Sequence, residues 1–192
     1  LRRWQLALTG PGSKVHSTRN INDHIWPFAQ TGVHTRRPLP RVTLGGLRMK
    51  ICVAGAAGAF GRKHLDALTN IQGAEVVSVV GGEPDDIEAF AQERGIQHAT
   101  KDLNESLDRD DVEAVILATP TQLHAQQAIA CMRAGKHVLV EIPMADSLAD
   151  TQAAIKVQEE TGLVAMVDHV RRFNPSHQWI NHKIKAGEIV IQ

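Results

Sequence analysis

Residues 50–61 read Lys-Ile-Cys-Val-Ala-Gly-Ala-Ala-Gly-Ala-Phe-Gly, an apolar run that ends in a glycine-rich turn. The run predicts a buried strand, and the residues that follow it predict a helix. A backbone that approaches a diphosphate closely needs residues without Cβ, and a helix N-terminus supplies N–H groups with a partial positive charge. The usual spacing is G-x-G-x-x-G, whereas Gly55, Gly58 and Gly61 span one residue more. A tight turn without a ligand is the alternative interpretation.

Short apolar runs recur between helical segments along the rest of the chain. They are nearly continuous and rich in β-branched residues, which is typical of strands covered on both faces. The runs lie at 51–54, 76–80, 114–118, 138–140 and 163–167, with a weaker strand at 97–99. One intervening helix begins with the capping pair Ser147 and Asp150 and ends at Gly162. The alternation predicts an α/β protein with a doubly wound parallel sheet.

The composition restricts the classes of partner. Of the 192 residues 43% are apolar, and 21 lysines and arginines balance 21 acidic residues. A neutral chain points to neither nucleic acid nor a membrane surface as partner. No apolar run approaches the ~20 residues that a membrane helix needs. Cys52 and Cys131 are isolated in apolar stretches, which indicates reduced core cysteines and a cytoplasmic location. The cysteine, histidine and acid spacings predict no metal site.

Residues 1–48 differ in character from the rest. They contain seven arginines but only one acidic residue, and they show no sustained period of helix or strand. Three interpretations are open: an arginine-rich transit segment, a disordered basic arm, or upstream sequence translated by mistake before Met49. No function is assigned to this stretch.

The identity of the cofactor is open from the residues alone. A carboxylate ~20 residues past the glycine turn usually holds the ribose of NAD, and an arginine nearby suits NADP. Glu83 follows the second strand, but it is equally suited to the first turn of a helix. Arg62, next to the third glycine, is an alternative partner for a 2′-phosphate.

Three further motifs, in order and at fitting distances, carry a family resemblance. They are Thr119-Pro120 with His124, residues 134–138 (Ala-Gly-Lys-His-Val) and Glu141-Ile142-Pro143. With the glycine turn they make the chain from Met49 onward resemble the N-terminal half of the Gfo/Idh/MocA oxidoreductases. That resemblance implies a Rossmann domain that binds NAD or NADP. Most of the family has lysine in place of Ile142, so a charged donor worth ~1.5–3 kcal/mol is absent here.

One branch of that family resembles this chain more closely. Residues 140–147 and 169–178 match its motifs, and the branch shares the isoleucine of Glu-Ile-Pro. Its members use NADP to oxidise the cyclic hemiacetal of a polycarboxylate formed in bacterial aromatic degradation. The resemblance therefore favours NADP, although Gly81-Gly82 stands where the branch has a serine–arginine pair.

The resemblance and the rule that ligands bind at the carboxyl ends of parallel strands together select cofactor-binding residues. The candidates are Gly55, Ala57, Gly58, Ala59, Phe60, Gly61, Thr119, Pro120, Thr121, His124 and Glu141. Two of them have a structural alternative, since Pro120 can shape a turn alone and His124 can lie on the surface of a first helical turn.

Four residues after the sixth strand are the candidates for the substrate side. Arg171, Arg172 and Asn174 are predicted to bind substrate carboxylates, because arginine pairs with a carboxylate through two hydrogen bonds. His169 is the candidate catalytic proton acceptor, since an ordinary histidine pKa of ~6.5 lies near working pH. A histidine bonded into the fold is the alternative.

The expected organisation is a Rossmann domain over residues 49–170, followed at 171–192 by the start of a C-terminal α+β domain for substrate binding and dimerisation. By resemblance that domain is incomplete here, so the fragment alone is expected to be inactive and the full-length protein to be a homodimer or higher homo-oligomer. The predicted function is NAD(P)-dependent oxidation of a carbinol or hemiacetal. The alternatives are a non-catalytic nucleotide-binding sensor and a sugar or inositol dehydrogenase.

Overall fold

Six parallel strands form one sheet with helices on both faces. The computed structural model describes residues 48–82 and 84–190. Its strands are β1 (Met49–Ala54), β2 (Ala74–Val80), β3 (His98–Thr100), β4 (Ala114–Leu117), β5 (His137–Glu141) and β6 (Ala165–Asp168). Their order across the sheet is β3-β2-β1-β4-β5-β6, and every neighbouring pair is parallel. The predicted doubly wound parallel sheet, a Rossmann fold, is confirmed.

Helices connect consecutive strands, as the alternating pattern predicts. They are α1 (Ala59–Leu68), α2 (Pro84–Glu93), α3 (Leu103–Leu107), α4 (Thr121–Arg133), α5 (Leu148–Thr161) and α6 (Pro175–Lys185), and a 3-10 turn (Val170–Phe173) precedes α6. The capping signals act as expected at α5, where the Ser147 hydroxyl accepts from the Asp150 N–H and Gly162 ends the helix with φ +66°. Within the described residues, no helix has both the length and the apolar composition needed to cross a membrane.

The two faces of β1 explain how the core is divided. Ile51 and Val53 pack with α1 and α2 on one face, while Cys52 and Ala54 pack with α3, α4 and α5 on the other. This is the two-residue alternation of side chains along a strand. All four side chains are at most 6% exposed. The continuous apolar run therefore does mark a strand buried on both faces.

One predicted element is not formed. The composition of residues 188–192 predicts the start of a new strand, but the described part, 188–190, forms none. The N–H groups of Glu188 and Ile189 instead donate to the carbonyl of Lys183, which turns the chain back over the end of α6. The expectations for residues 1–48 lie, apart from Arg48, outside the described residues.

Candidate functional site

The glycine turn lies where β1 meets its neighbours at the carboxyl edge of the sheet. Gly55 has φ +76°, and a Cβ added there would lie 2.3 Å from the carbonyl oxygen of Ala118, just beyond β4. A Cβ on Gly61 would lie 2.2 Å from the carbonyl oxygen of Gly55. Real Cβ atoms cannot approach so closely, so both glycines are required by the packing of the turn. The wider spacing of the three glycines is thus compatible with a closely packed strand–turn–helix.

The second glycine of the motif, Gly58, lies on the open side of the turn. Gly58 is the N-cap of α1 with extended backbone (φ −70°), and it contributes no side-chain cap to the helix. The first N–H groups of an α-helix have no partner within the helix. Because Gly58, Ala59 and Phe60 are exposed, these groups face a surface that an anion can reach. The glycine turn from Gly55 to Gly61 and the first N–H groups of α1, called the cradle below, are thus suited to hold a diphosphate.

The segment after β4 adjoins the turn. The Ala118 N–H donates to the Ala54 carbonyl, and the Thr119 nitrogen lies 2.9 Å from the position of an added Gly55 Cβ. The Thr119 hydroxyl donates to Gln127 of α4. Pro120 is the N-cap of α4 and is exposed, and Thr121 begins that helix. The structure thus brings the two predicted cofactor segments together.

His124 has a structural position that the sequence did not indicate. Its side chain is 2% exposed, with Nε2 2.7 Å from the Thr119 carbonyl and Nδ1 2.8 Å from the Pro143 carbonyl. At least one of these contacts is an N–H···O=C hydrogen bond, whichever tautomer is present. His124 thereby ties the loop after β4 to the loop after β5. Its predicted contact with a cofactor stays a prediction, and the alternative of a surface histidine is wrong.

Glu141, the last residue of β5, forms part of a cluster that sequence reasoning missed. The His64 Nε2 of α1 donates to Glu141 Oε1 at 2.8 Å and lies 3.7 Å from Oδ2 of Asp168, the last residue of β6. The ligand atoms of these three residues lie within 4.8 Å of one another. Histidine and carboxylates can also hold a divalent cation, so the predicted absence of a metal site stays a prediction.

Burial controls the ionisation of Asp168. Desolvation is the largest cause of a raised pKa of Asp168, and the charge of Glu141 and a hydrogen bond between the two carboxyl groups raise it further. His64 and His169 oppose the shift. Acids that end adjacent parallel strands meet at one edge, so Glu141 and Asp168 were a pair that the sequence could have revealed. The approach of His64 from α1 had no local signal.

The four predicted substrate residues lie together in the exposed segment after β6. His169 is the N-cap of the 3-10 turn that contains Arg171 and Arg172, and all three are exposed. Asn174 caps α6, since its Oδ1 accepts from the N–H groups of Ser176 and His177. Its amide oxygen therefore already has a structural role. The predicted contacts of these residues with substrate stay predictions.

The end of β2 bears on the choice of cofactor. Gly81 and Gly82 both have positive φ, and Glu83 lies outside the described residues. Arg62 donates from Nε to the Ala57 carbonyl, and its guanidinium lies 4.6 Å from the centre of the Phe90 ring. Arg94 stacks on the same ring at 4.1 Å. Arg62 is thus held against the glycine turn.

The two cysteines are free and buried, as the sequence indicates. Burial raises the pKa of both thiols, to about 12 for Cys131. Neither thiol therefore has the thiolate character that nucleophilic catalysis needs.

Comparison with known proteins agrees with this architecture. The model of the Gfo/Idh/MocA oxidoreductase family, described as a NAD-binding Rossmann fold, matches residues 49–169. The chain is 60% identical over 144 residues to 4-carboxy-2-hydroxymuconate-6-semialdehyde dehydrogenase of Sphingobium sp. strain SYK-6, covering 75% of this chain and 45% of the relative. It is 34% identical over 143 residues to a Bacillus subtilis scyllo-inositol 2-dehydrogenase (NAD(+)), covering 74% and 41%.

Solved structures give the same picture. Scyllo-inositol dehydrogenase from Lactobacillus casei with bound NAD(H) and scyllo-inositol is similar with a TM-score of 0.69 at 25% identity, over 74% of this chain and 42% of that one. A 3-ketoreductase from Actinomadura kijaniata in complex with NADP and TDP-benzene has a TM-score of 0.67 at 29% identity, over 74% and 45%. The chain spans less than half of the length of the curated relatives described above.

Proposed function

This chain belongs to the Gfo/Idh/MocA family of oxidoreductases with a NAD-binding Rossmann fold, and on that premise we propose that it provides the cofactor-binding part of a dehydrogenase for a cyclic hemiacetal bearing carboxylates. The observation that carries this proposal is the 60% identity over 144 residues to 4-carboxy-2-hydroxymuconate-6-semialdehyde dehydrogenase. The product would be the corresponding lactone, because oxidation of a hemiacetal carbon removes one hydride and one proton.

Several of the candidate residues then have a defined role. The turn from Gly55 to Gly61 and the first N–H groups of α1 hold the diphosphate, as the cradle described above permits. A nicotinamide cofactor held there would supply the hydride-accepting chemistry. Arg171 and Arg172 hold substrate carboxylates, and the imidazole of His169 accepts the hydroxyl proton. The buried carboxylate of Glu141 lies at the end of β5, where the nicotinamide half of a dinucleotide belongs.

A negatively charged side chain at position 58 tests whether the diphosphate binds at the glycine turn. Asp and Asn both serve well as N-caps, so Gly58→Asp and Gly58→Asn preserve or strengthen the start of α1. Their added Cβ meets only the Gly55 carbonyl oxygen, at 3.1 Å. We expect Gly58→Asp to weaken NADPH and NADH binding at least about tenfold relative to Gly58→Asn, because the carboxylate repels the diphosphate. Equal affinities in calorimetric titrations of the two variants would place the diphosphate elsewhere.

The preference for NADP over NAD is a further part of the proposal. Arg62 is held at the turn by the Ala57 carbonyl, and Gly81 and Gly82 have no side chains that would occupy space beside a 2′-phosphate. A hydrogen bond to a charged group is worth about 1.5–3 kcal/mol, so Arg62→Gln should weaken NADPH binding about ten- to hundredfold and leave NADH binding unchanged. Arg94→Gln is the matched control, since Arg94 stacks on the same Phe90 ring.

Turnover distinguishes the alternatives. We expect the full-length protein to form NAD(P)H with a carboxylated hemiacetal. The absorbance of the reduced nicotinamide ring measures this reaction. Turnover of inositols instead would favour the polyol dehydrogenases to which the chain is also similar. Nucleotide binding without turnover of either class would favour a sensor, for which the replacement of the family lysine by Ile142 is the supporting observation.

Several coarser expectations extend the same proposal. Residues 171–192 belong to a substrate and dimerisation domain, which the exposed Phe173 (74%) and Trp179 (59%) support, because large apolar side chains are usually covered in an assembled protein. The full-length protein is a homodimer or higher homo-oligomer, and gel filtration with light scattering measures its mass.

The free buried thiols support a cytoplasmic location.

A further inference from the structure

Three side chains of metal-binding types converge from three elements at the carboxyl edge of the sheet. Glu141 and Asp168 are Cα partners at the ends of β5 and β6, so their side chains lie side by side on one face. Leu139, two residues before Glu141, packs against the core on the α1 side of the sheet, and Glu141 shares that side. His64 approaches the pair from α1. His64, Glu141 and Asp168 are called the ligand cluster below.

The sequence of α1 directs His64 toward this edge. Gly61, Leu65 and Leu68 form the buried stripe of the helix, and His64 lies one turn after Gly61 and one turn before Leu68. A helical side chain leans toward the N-terminus of its own helix. Because α1 begins at the carboxyl edge of the sheet, this lean brings the imidazole to the strand ends.

The donor atoms of the ligand cluster are close enough to share one ion. Nε2 of His64 lies 2.8 Å from Oε1 of Glu141 and 3.7 Å from Oδ2 of Asp168. One donor atom from each of the three residues lies within 4.8 Å of the other two. Donor atoms about 2.0–2.2 Å from one zinc ion stand about 3.3–3.6 Å apart in a tetrahedral site. The observed separations bracket that range, so small side-chain movements bring all three donors onto one ion.

Burial and charge distinguish the ligand cluster from acids at the surface. The side chains of His64, Glu141 and Asp168 are only 17%, 9% and 13% exposed. The N–H of Ile142 donates to Oε2 of Glu141, and such outer hydrogen bonds orient the carboxylates that bind metals. Two ionised carboxylates in this position repel each other, and a single imidazole supplies at most one positive charge. A divalent cation balances both carboxylates.

We propose that the ligand cluster binds one divalent transition-metal ion, with zinc the best fit. Zinc accepts both imidazole nitrogen and carboxylate oxygen, whereas magnesium and calcium prefer oxygen alone. Three protein ligands leave the fourth tetrahedral position open, as in catalytic zinc sites and unlike structural ones. That position suits a water molecule or an oxygen atom of a ligand bound at the carboxyl edge of the sheet. This inference is opposed to the absence of a metal site that the sequence predicts, and it does not depend on hydride transfer.

Calorimetric titration of the chain with zinc sulfate tests this inference. The chain is first treated with a chelator and dialysed, and no nucleotide is present. We expect one zinc ion to bind per chain with micromolar or tighter affinity. Titration with cobalt(II) gives a second readout, because four-coordinate cobalt(II) absorbs visible light far more strongly than the hydrated ion.

Two variants and a control assign the bound ion to the ligand cluster. Asp168→Asn and His64→Gln each remove one ligand with little change in side-chain volume. Each should weaken zinc binding at least about tenfold, since the loss of even an outer partner of a ligand typically costs about 10- to 100-fold. His177→Gln, which changes an exposed histidine of α6, should leave the affinity unchanged. Circular dichroism verifies that each variant is folded.

The outcomes separate this inference from the proposed function. A parent chain that forms no one-to-one zinc complex overturns the inference. Zinc bound equally well by the parent and by Asp168→Asn comes from other histidines and overturns it too. Neither result bears on the proposed function, which predicts nucleotide binding with or without zinc.

Discussion

The two sides of the sheet differ in what determines their geometry. At β1, Cys52, Val53 and Ala54 are fully buried, and the glycine turn that follows contacts the backbone just after β4. At β6, Met166 is 55% exposed, and the described residues that follow, 167–190, are all exposed or only partly buried. The proposed diphosphate cradle is therefore defined by backbone packing, whereas the proposed substrate residues depend on exposed side chains. Changes on the first side should strongly affect folding, and changes on the second should affect folding much less.

The largest expected effect comes from a methyl group in the turn. Gly55→Ala places a Cβ 2.3 Å from the Ala118 carbonyl oxygen, so the free energy of unfolding should fall by about 4 kcal/mol or more. Gly135→Ala is the matched control, because Gly135 has φ +78° but an added Cβ meets nothing within 4 Å. It should lose only about 1–2 kcal/mol from the left-handed backbone conformation. Equal losses in urea unfolding would contradict the role assigned to packing.

The next effect concerns the hydrogen bonds by which His124 connects the loop after β4 to the loop after β5. His124→Leu removes the imidazole, which donates to at least one of the carbonyls of Thr119 and Pro143, and the loss of such a partly buried hydrogen bond costs about 1 kcal/mol. His124→Gln keeps an N–H donor of similar reach and should lose less. Chemical denaturation of both variants makes the comparison. A leucine variant as stable as the glutamine variant would show that these hydrogen bonds do not hold the two loops.

A smaller effect of opposite sign is expected at the end of β6. The pKa of Asp168 is raised in the folded state, so the stability that its protonated form contributes is complete below the unfolded pKa and is lost as pH rises through the folded pKa. Asp168→Asn should therefore match the parent at low pH and exceed it by about 0.5–1 kcal/mol at higher pH, where two opposed carboxylates repel. A difference in unfolding free energy that does not grow with pH would argue against the raised pKa.

The smallest effect is expected at the exposed arginines. Arg172→Ala should change the free energy of unfolding by no more than about 0.5 kcal/mol, because the side chain is exposed. Its backbone carbonyl, which accepts from Gln178, is retained. Nucleotide affinity should also be unchanged. A large loss of stability would mean that this side chain is part of the fold and not of a substrate site.

The same division decides how much the sequence could predict. The strands and helices were predictable because their signals are local: apolar runs for strands, and Ser147 and Gly162 for the ends of α5. The glycine turn was predictable because the steric demand falls on residues close in sequence. The cluster of His64 with Glu141 was not predictable, since the two residues are 77 positions apart and nothing in α1 indicates which strand end it faces.

At two places the tertiary contacts overrode what the local sequence indicates. Residues 188–190 have the composition of a strand start, but the N–H groups of Glu188 and Ile189 donate to the carbonyl of Lys183 at the end of α6. His124 lies in the first turn of α4, where the sequence allows a surface position. Only the closeness of the loops after β4 and β5 provides the two carbonyls that surround it. Composition does not report such closeness.

The free edge of β6 has a practical consequence. Among the described residues, no strand pairs with the side of β6 that faces away from β5. Unpaired N–H and C=O groups along an edge strand can pair with an extended peptide, including the same segment of another molecule. Met166, on an exposed part of this strand, adds an adhesive apolar contact. Concentrated samples of the chain should therefore tend to polymerise by sheet extension, and lysine in place of Met166 should keep them dispersed.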